Sequence, residues 1–66
     1  MEFCKRLREI RTELGFTQKD FAQLLNVSKS CYAGYEQGYR EPDFKTLVKI
    51  CKILHVSSDY LLGLEN

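Results

Sequence analysis

The sequence predicts an all-α fold: a compact bundle of five short helices forming one domain over residues 1–66. Three observations carry that expectation. Apolar residues recur at steps of three and four along most of the chain, and no segment alternates apolar and polar residues over a strand length. Residues with capping chemistry (Thr17, Ser28, Asp43, and Ser57 or Ser58) stand just ahead of those stripes, and Gly15, Asn26 and Gly38 follow three of them. The chain has 66 residues, 44% hydrophobic and 29% charged, which suits one small globular domain and excludes a disordered segment.

Phe3, Leu7, Ile10 and Leu14 form one stripe on a first helix of about three turns, and Gly15 follows where a left-handed cap is wanted. Thr17 offers its hydroxyl as the cap of a second helix, with Asp20 as a capping-box acid. Phe21, Ala22, Leu24 and Leu25 make the apolar side of that helix. Asn26, which tolerates left-handed backbone, interrupts it. Ser28 caps a third helix whose inward residues are Tyr32 and Tyr35, with Val27 just ahead. Gly38 ends it, and Pro42 pushes Glu41 out of the helical region. Asp43 caps a fourth helix striped with Phe44, Leu47, Val48, Cys51 and Leu54. Ser57 or Ser58 caps a last short helix carrying Tyr60, Leu61 and Leu64.

Ten basic and nine acidic side chains leave a net charge of +1. They are spread evenly: four basic and three acidic in residues 1–14, three and two in 15–40, three and four in 41–66. No basic block marks a nucleic-acid footprint, so few phosphate contacts per subunit are expected. No apolar stretch is long enough to span a bilayer. The opening Met1-Glu2-Phe3-Cys4-Lys5-Arg6 enters a mixed charged pattern with no secretory signal, which points to the cytoplasm and to no membrane partner. Cys4, Cys31 and Cys51 are widely spaced and His55 is the lone histidine, so neither a metal site nor a disulfide framework is expected. Cys4 and Cys51 lie on apolar faces as small buried hydrophobes. A redox-sensing Cys31 would need exposure and a neighbouring cation, for which Lys29 is the one candidate. His55 suits the negative end of the fourth helix. No nucleophile–base pair, paired carboxylates or glycine-rich phosphate loop can be assembled, so no enzyme, cofactor or small-molecule ligand is expected.

Helices two and three are joined only by Asn26 and Val27. So tight a joint forces a steep crossing and projects the second of the pair from the body, the helix-turn-helix arrangement, here from Gln18 to Gln37. Gly15-Phe16-Thr17-Gln18, Phe21-Ala22, Asn26-Val27-Ser28, Tyr35-Glu36-Gln37-Gly38, Arg40, Pro42 and Val56-Ser57-Ser58-Asp59-Tyr60-Leu61-Leu62 stand in a combined spacing that resembles the phage Cro and repressor type of helix-turn-helix protein, the XRE type. The resemblance covers nearly the whole chain. It implies a lambda-repressor-like domain that binds palindromic double-stranded operator DNA as a homodimer, regulating transcription as a repressor.

On that resemblance the DNA-facing residues are Thr17, Gln18, Ser28, Lys29, Ser30, Ala33, Gly34, Gln37, Tyr39 and Arg40. Lys29 can donate to guanine or to a phosphate, Ser30 discriminates weakly, and Ala33 suits a thymine methyl. Gln18 would touch a phosphate and buttress the third helix. Gln37, Tyr39 and Arg40 would follow the DNA backbone, Arg40 as the best phosphate ligand. Gly34 admits two readings: close approach of the helix to the duplex, or a packing need. The resemblance also implies that Arg11 and Glu36 form a largely buried structural ion pair. Tyr32 stands where a smaller aliphatic residue is usual, which would bring its hydroxyl out near the DNA.

A chain this short rarely gains more than ~3–5 kcal/mol from its core alone, which favours self-association. Val56, Tyr60, Leu61, Leu62 and Leu64 are more apolar than one short helix needs and form the expected dimer interface, with Leu62 as the exposed contact; the alternative is that they close a monomer core. The rival function is a protein-binding antitoxin-like or anti-repressor subunit, which the low charge and plain third helix favour.

Overall fold

The computed structural model describes residues 2–64. Five helices follow one another: α1 (Glu2–Glu13), α2 (Gln18–Leu25), α3 (Lys29–Gln37), α4 (Phe44–Leu54) and α5 (Ser58–Leu62), with no strand among the described residues. Their limits are set by local chemistry. Thr17, Ser28, Asp43 and Ser57 are extended, and each side chain accepts the backbone N–H three residues on, at 3.0, 3.0, 2.8 and 3.0 Å. At the other ends the chain turns left-handed, at Asn26 (φ 60°), Gly38 (φ 88°) and His55 (φ 57°) among others. His55 therefore closes α4 through its backbone conformation, a role its charge alone does not suggest.

α3 is central. It packs on α1 and α2, while α5 closes against α1 and α4. The core is Phe3, Leu7, Phe21, Ala22, Leu25, Tyr32, Tyr35, Ile50, Leu54 and Leu61. An aromatic run crosses it: Phe16 to Phe21 at 5.5 Å, Phe21 to Tyr32 at 5.3 Å and Tyr32 to Tyr35 at 6.0 Å between ring centroids. Tilted and edge-on contacts of this kind add to the burial of the rings themselves. Arg6 fastens the last helix: Nη1 donates to the Tyr60 carbonyl at 2.7 Å while the guanidinium lies 4.6 Å above the Tyr60 ring.

Five residues read as inward from the sequence are exposed: Leu14, Leu24, Phe44, Val48 and Leu64. Each has a geometric cause. Leu14 and Leu64 lie beyond the last turns of α1 and α5, where the backbone reverses. Leu25 stands four and three residues after the buried Phe21 and Ala22 and shares their face, whereas Leu24 lies about 100° round the helix from it and is exposed. On α4, apolar residues stand at 44, 47, 48, 50, 51, 53 and 54, too many for one stripe. Contact with the rest of the bundle selects 47, 50, 51, 53 and 54, burying Ile50 completely and leaving Phe44 87% exposed.

Candidate nucleic-acid interface

The joint between α2 and α3 is built from backbone. After Leu25 the left-handed Asn26 returns its N–H to the Gln23 carbonyl at 3.1 Å, and Val27 returns its own to Ala22 at 3.0 Å. The side chain of Ala22 is buried, small enough for the two helices to approach. Ser28 then starts α3 at once. This geometry turns α3 so that Tyr32, Tyr35 and Glu36 enter the core while Lys29, Ser30 and Gln37 stay exposed and Ala33 is half-buried. Thr17 and Ser28 are exposed at the starts of α2 and α3, their hydroxyl oxygens already accepting cap bonds.

Glu36 is 3% exposed, the one charged residue of the described chain that is buried. Its carboxylate is fully occupied. Arg11 donates to it twice, from Nε at 2.6 Å and Nη2 at 3.2 Å; Gln18 Nε2 donates at 3.0 Å; and the Tyr32 hydroxyl donates through a short bond to Oε2. The remaining Arg11 nitrogen, Nη1, reaches the Phe16 carbonyl at 2.7 Å. One carboxylate thus ties α1, the turn after it, the start of α2 and the inner face of α3. Burial pushes the Glu36 carboxyl up, but the hydrogen bonds from Arg11, Tyr32 and Gln18 outweigh it and hold the group below its ordinary range. The hydrogen bond to Glu36 in turn raises Arg11, and burial together with that carboxylate pushes the Tyr32 phenol up.

The Arg11–Glu36 pair stands as the resemblance implies, and Gln18 supports α3 by this route. Tyr32 corrects the sequence reading. Its ring is fully buried and its hydroxyl turns inward to Glu36, because a phenol buried with its ring needs a hydrogen-bond partner and the carboxylate one helical turn on supplies it. Cys31 is half-buried, with its Sγ 3.4 Å from the Tyr35 hydroxyl, an arrangement unlike an open thiol. Burial and this contact push the Tyr35 phenol up to about 12.

Past α3, the Gly34 carbonyl accepts three N–H groups in succession: Gly38 at 2.9 Å, Tyr39 at 3.0 Å and Arg40 at 3.2 Å. The loop is thereby folded back over the last turn. Gly34 is covered by the Arg40 stem; a Cβ at Gly34 would meet Arg40 Cγ at 3.1 Å and Cδ at 3.2 Å. Of the two sequence readings of Gly34, packing within the chain is the one visible in this geometry. Tyr39 is 83% exposed beside it.

The residues expected at a dimer interface divide. Leu61 is wholly buried in the chain's own core, held there by the packing of α5 on α1, so it offers nothing to a partner. Val56 and Tyr60 are half-buried against the core. Leu62 and Leu64 are exposed, and sequence reasoning missed their apolar companions Phe44 and Val48. Phe44 and Leu47 form the shared wall of two shallow grooves, one bounded also by Glu41, Pro42 and Leu62, the other by Val48, Lys52 and Val56.

Among the described residues no cluster of histidine, cysteine or carboxylate side chains could hold a metal ion, and no helix is long and apolar enough to cross a membrane. The fold and the α2–α3 joint define a helix-turn-helix domain. The profile described as "Helix-turn-helix" matches residues 7–61, and the chain belongs to that family.

Its relatives include the HTH-type transcriptional regulator ImmR of Bacillus subtilis (strain 168), 46% identical over 63 residues, covering 96% of this chain and 50% of the relative. The SPbeta prophage-derived uncharacterized HTH-type transcriptional regulator YonR of the same organism is 45% identical over 60 residues, covering 91% of this chain and 56% of the relative. The cryptic phage CTXphi transcriptional repressor RstR of Vibrio cholerae is 32% identical over 54 residues, covering 82% of this chain and 49% of the relative. The chain spans about half the length of these curated relatives.

Proposed function

We propose that the chain is the sequence-specific, double-stranded DNA-binding part of a transcriptional regulator, a repressor that binds a palindromic operator as a homodimer with α3 in the major groove. The observation that carries this reading is the two-sidedness of α3. Its inner face is locked by the Glu36 network, and its outer face carries Lys29, Ser30 and Gln37, with Ala33 the one apolar residue beside them. A helix held rigidly with a polar, hydrogen-bonding face outward is what base-edge readout requires. The relatives named as transcriptional regulators and as a phage repressor support the same direction.

In this reading Lys29, Ser30 and Ala33 face base edges. Thr17, Gln18, Ser28, Gln37, Tyr39 and Arg40 line the phosphate backbone on either side. Self-association is assigned to Phe44, Val48, Leu62 and Leu64, with Val56 and Tyr60 at its margin. A second copy fits this surface because the two grooves flanking Phe44 carry opposite charges, Glu41 at one and Lys52 at the other. A twofold axis beside Phe44 sets each Glu41 against the partner copy's Lys52 and the two Phe44 rings together. As in a twofold helix-turn-helix dimer generally, the two α3 helices would need to lie about 34 Å apart to meet half-sites ~10 bp between centres.

Selection of bound duplexes from random DNA, followed by gel shift across a salt series, tests the reading. Enrichment of a palindrome with affinity rising steeply as salt falls is the expected result. Absence of any bound duplex in dilute buffer overturns it and leaves the protein-binding reading, which the near-neutral charge favours.

A further inference from the structure

We propose that Gly34 is a positioning residue for Arg40: its missing side chain is the seat in which the Arg40 stem lies, aiming an unengaged guanidinium along the outer face of α3 toward a DNA phosphate. The inference rests on the DNA-binding reading above and adds a specific part to it. Glycine inside a helix weakens that helix relative to alanine, so its presence needs a reason. Backbone conformation supplies none, since Gly34 sits in ordinary helical geometry within α3 and has no positive φ. Space does supply one. The Arg40 methylenes occupy the position a side chain would take, with Cγ, Cδ and Cβ at 3.1, 3.2 and 3.4 Å from an added Cβ.

Three further features give this seat a purpose. The three N–H groups of Gly38, Tyr39 and Arg40 converge on the Gly34 carbonyl, so backbone bonds hold the root of Arg40 against the same residue that its stem covers. Ser30, Gly34 and Gln37 fall on one face of α3 at helical spacing, so the stem lies among the outward residues of the reading helix. The Arg40 guanidinium has no hydrogen-bond or ion-pair partner among the described residues, and its charge is felt by the Tyr35 phenol on the same helix. A guanidinium with a packed stem and free donors is suited to grip a phosphate, and it loses less freedom on binding than a fully solvated arginine.

The test compares wild type, Gly34→Ala, Arg40→Ala and the double variant on the duplex enriched by random selection. For each protein the melting temperature, the affinity and the slope of log affinity against log salt are measured. Gly34→Ala is expected to melt at or above wild type, because alanine favours the helix and the Arg40 stem can move aside. It should nonetheless bind about five- to tenfold more weakly, with the salt slope reduced by about 0.9, the signature of one lost phosphate contact. Arg40→Ala should match it, and adding Gly34→Ala to Arg40→Ala should change nothing further. A purely structural glycine would alter melting and leave the slope alone.

Wild-type binding with an unchanged slope and affinity in Gly34→Ala overturns the positioning role while leaving DNA binding intact. No duplex binding by wild type removes both. NMR of the free chain provides a check that needs neither variant: contacts between the Gly34 α-protons and the Arg40 γ- and δ-protons are expected, and their absence overturns the proposal.

Discussion

The Tyr32 hydroxyl and the Glu36 carboxylate, one helical turn apart on α3, are hydrogen-bonded to each other inside the core. The oxygen that receives Tyr32 also receives Arg11 Nε, and the other oxygen receives Gln18 and Arg11 Nη2. The inner face of α3 is therefore held by polar bonds with defined directions as well as by apolar packing. Apolar contact alone permits a helix to slide or roll; a carboxylate gripped by donors from α1, α2 and α3 does not.

Removing that carboxylate should act on stability first. Glu36→Ala leaves the Arg11 guanidinium partly buried without its partner, and breaking a buried pair from one side typically costs ~3–5 kcal/mol. In a chain of this size that consumes most of the stability. A large drop in melting temperature is expected, with base preference unchanged in the fraction still folded; a melting curve identical to wild type would refute the structural role.

Tyr32→Phe should be milder. It removes one hydrogen bond to a charged group, a loss of about 1.5–3 kcal/mol, and keeps the ring that packs against Phe21 and Tyr35. Because the hydroxyl faces Glu36, the set of duplexes selected by the variant should match that of wild type. Denaturant unfolding measures the first effect and random selection the second.

Acidification should weaken the fold through the same group. The Glu36 carboxyl lies below its ordinary value when folded, so its contribution is fully present above the unfolded value of about 4.3 and is lost as pH falls through the folded one. Melting temperature recorded from neutral pH down to strong acid should fall in that window for wild type. Glu36→Gln should be less stable at neutral pH and flatter across the window.

Neighbouring leucines should behave as opposites. Leu61→Ala opens a cavity in the core and should cost roughly 2–5 kcal/mol whatever the protein concentration. Leu62→Ser and Phe44→Ser alter exposed side chains; they should leave the melting of dilute protein nearly unchanged and lower the sedimentation coefficient at micromolar concentration. Equal sedimentation of Phe44→Ser and wild type would remove Phe44 from the proposed self-association surface.

The sequence by itself determined where the helices begin and end and how α2 meets α3. Thr17, Ser28 and Asp43 cap because a side-chain oxygen can reach an N–H three residues away, and Asn26 and Gly38 turn the chain because they accept left-handed backbone; these are energies settled within one turn. Arg11 and Glu36 were legible through the family pattern. The tertiary structure alone decided that Ile50 rather than Phe44 or Val48 is buried, that the Tyr32 hydroxyl turns inward, that Arg6 fastens Tyr60, and that Arg40 fills the space above Gly34. Each of those outcomes depends on the position of another element, except the lie of Arg40, which follows from a loop folding back on its own helix. Hydropathy records how much a residue gains by leaving water; which neighbour it leaves water to meet is fixed only once the helices are packed.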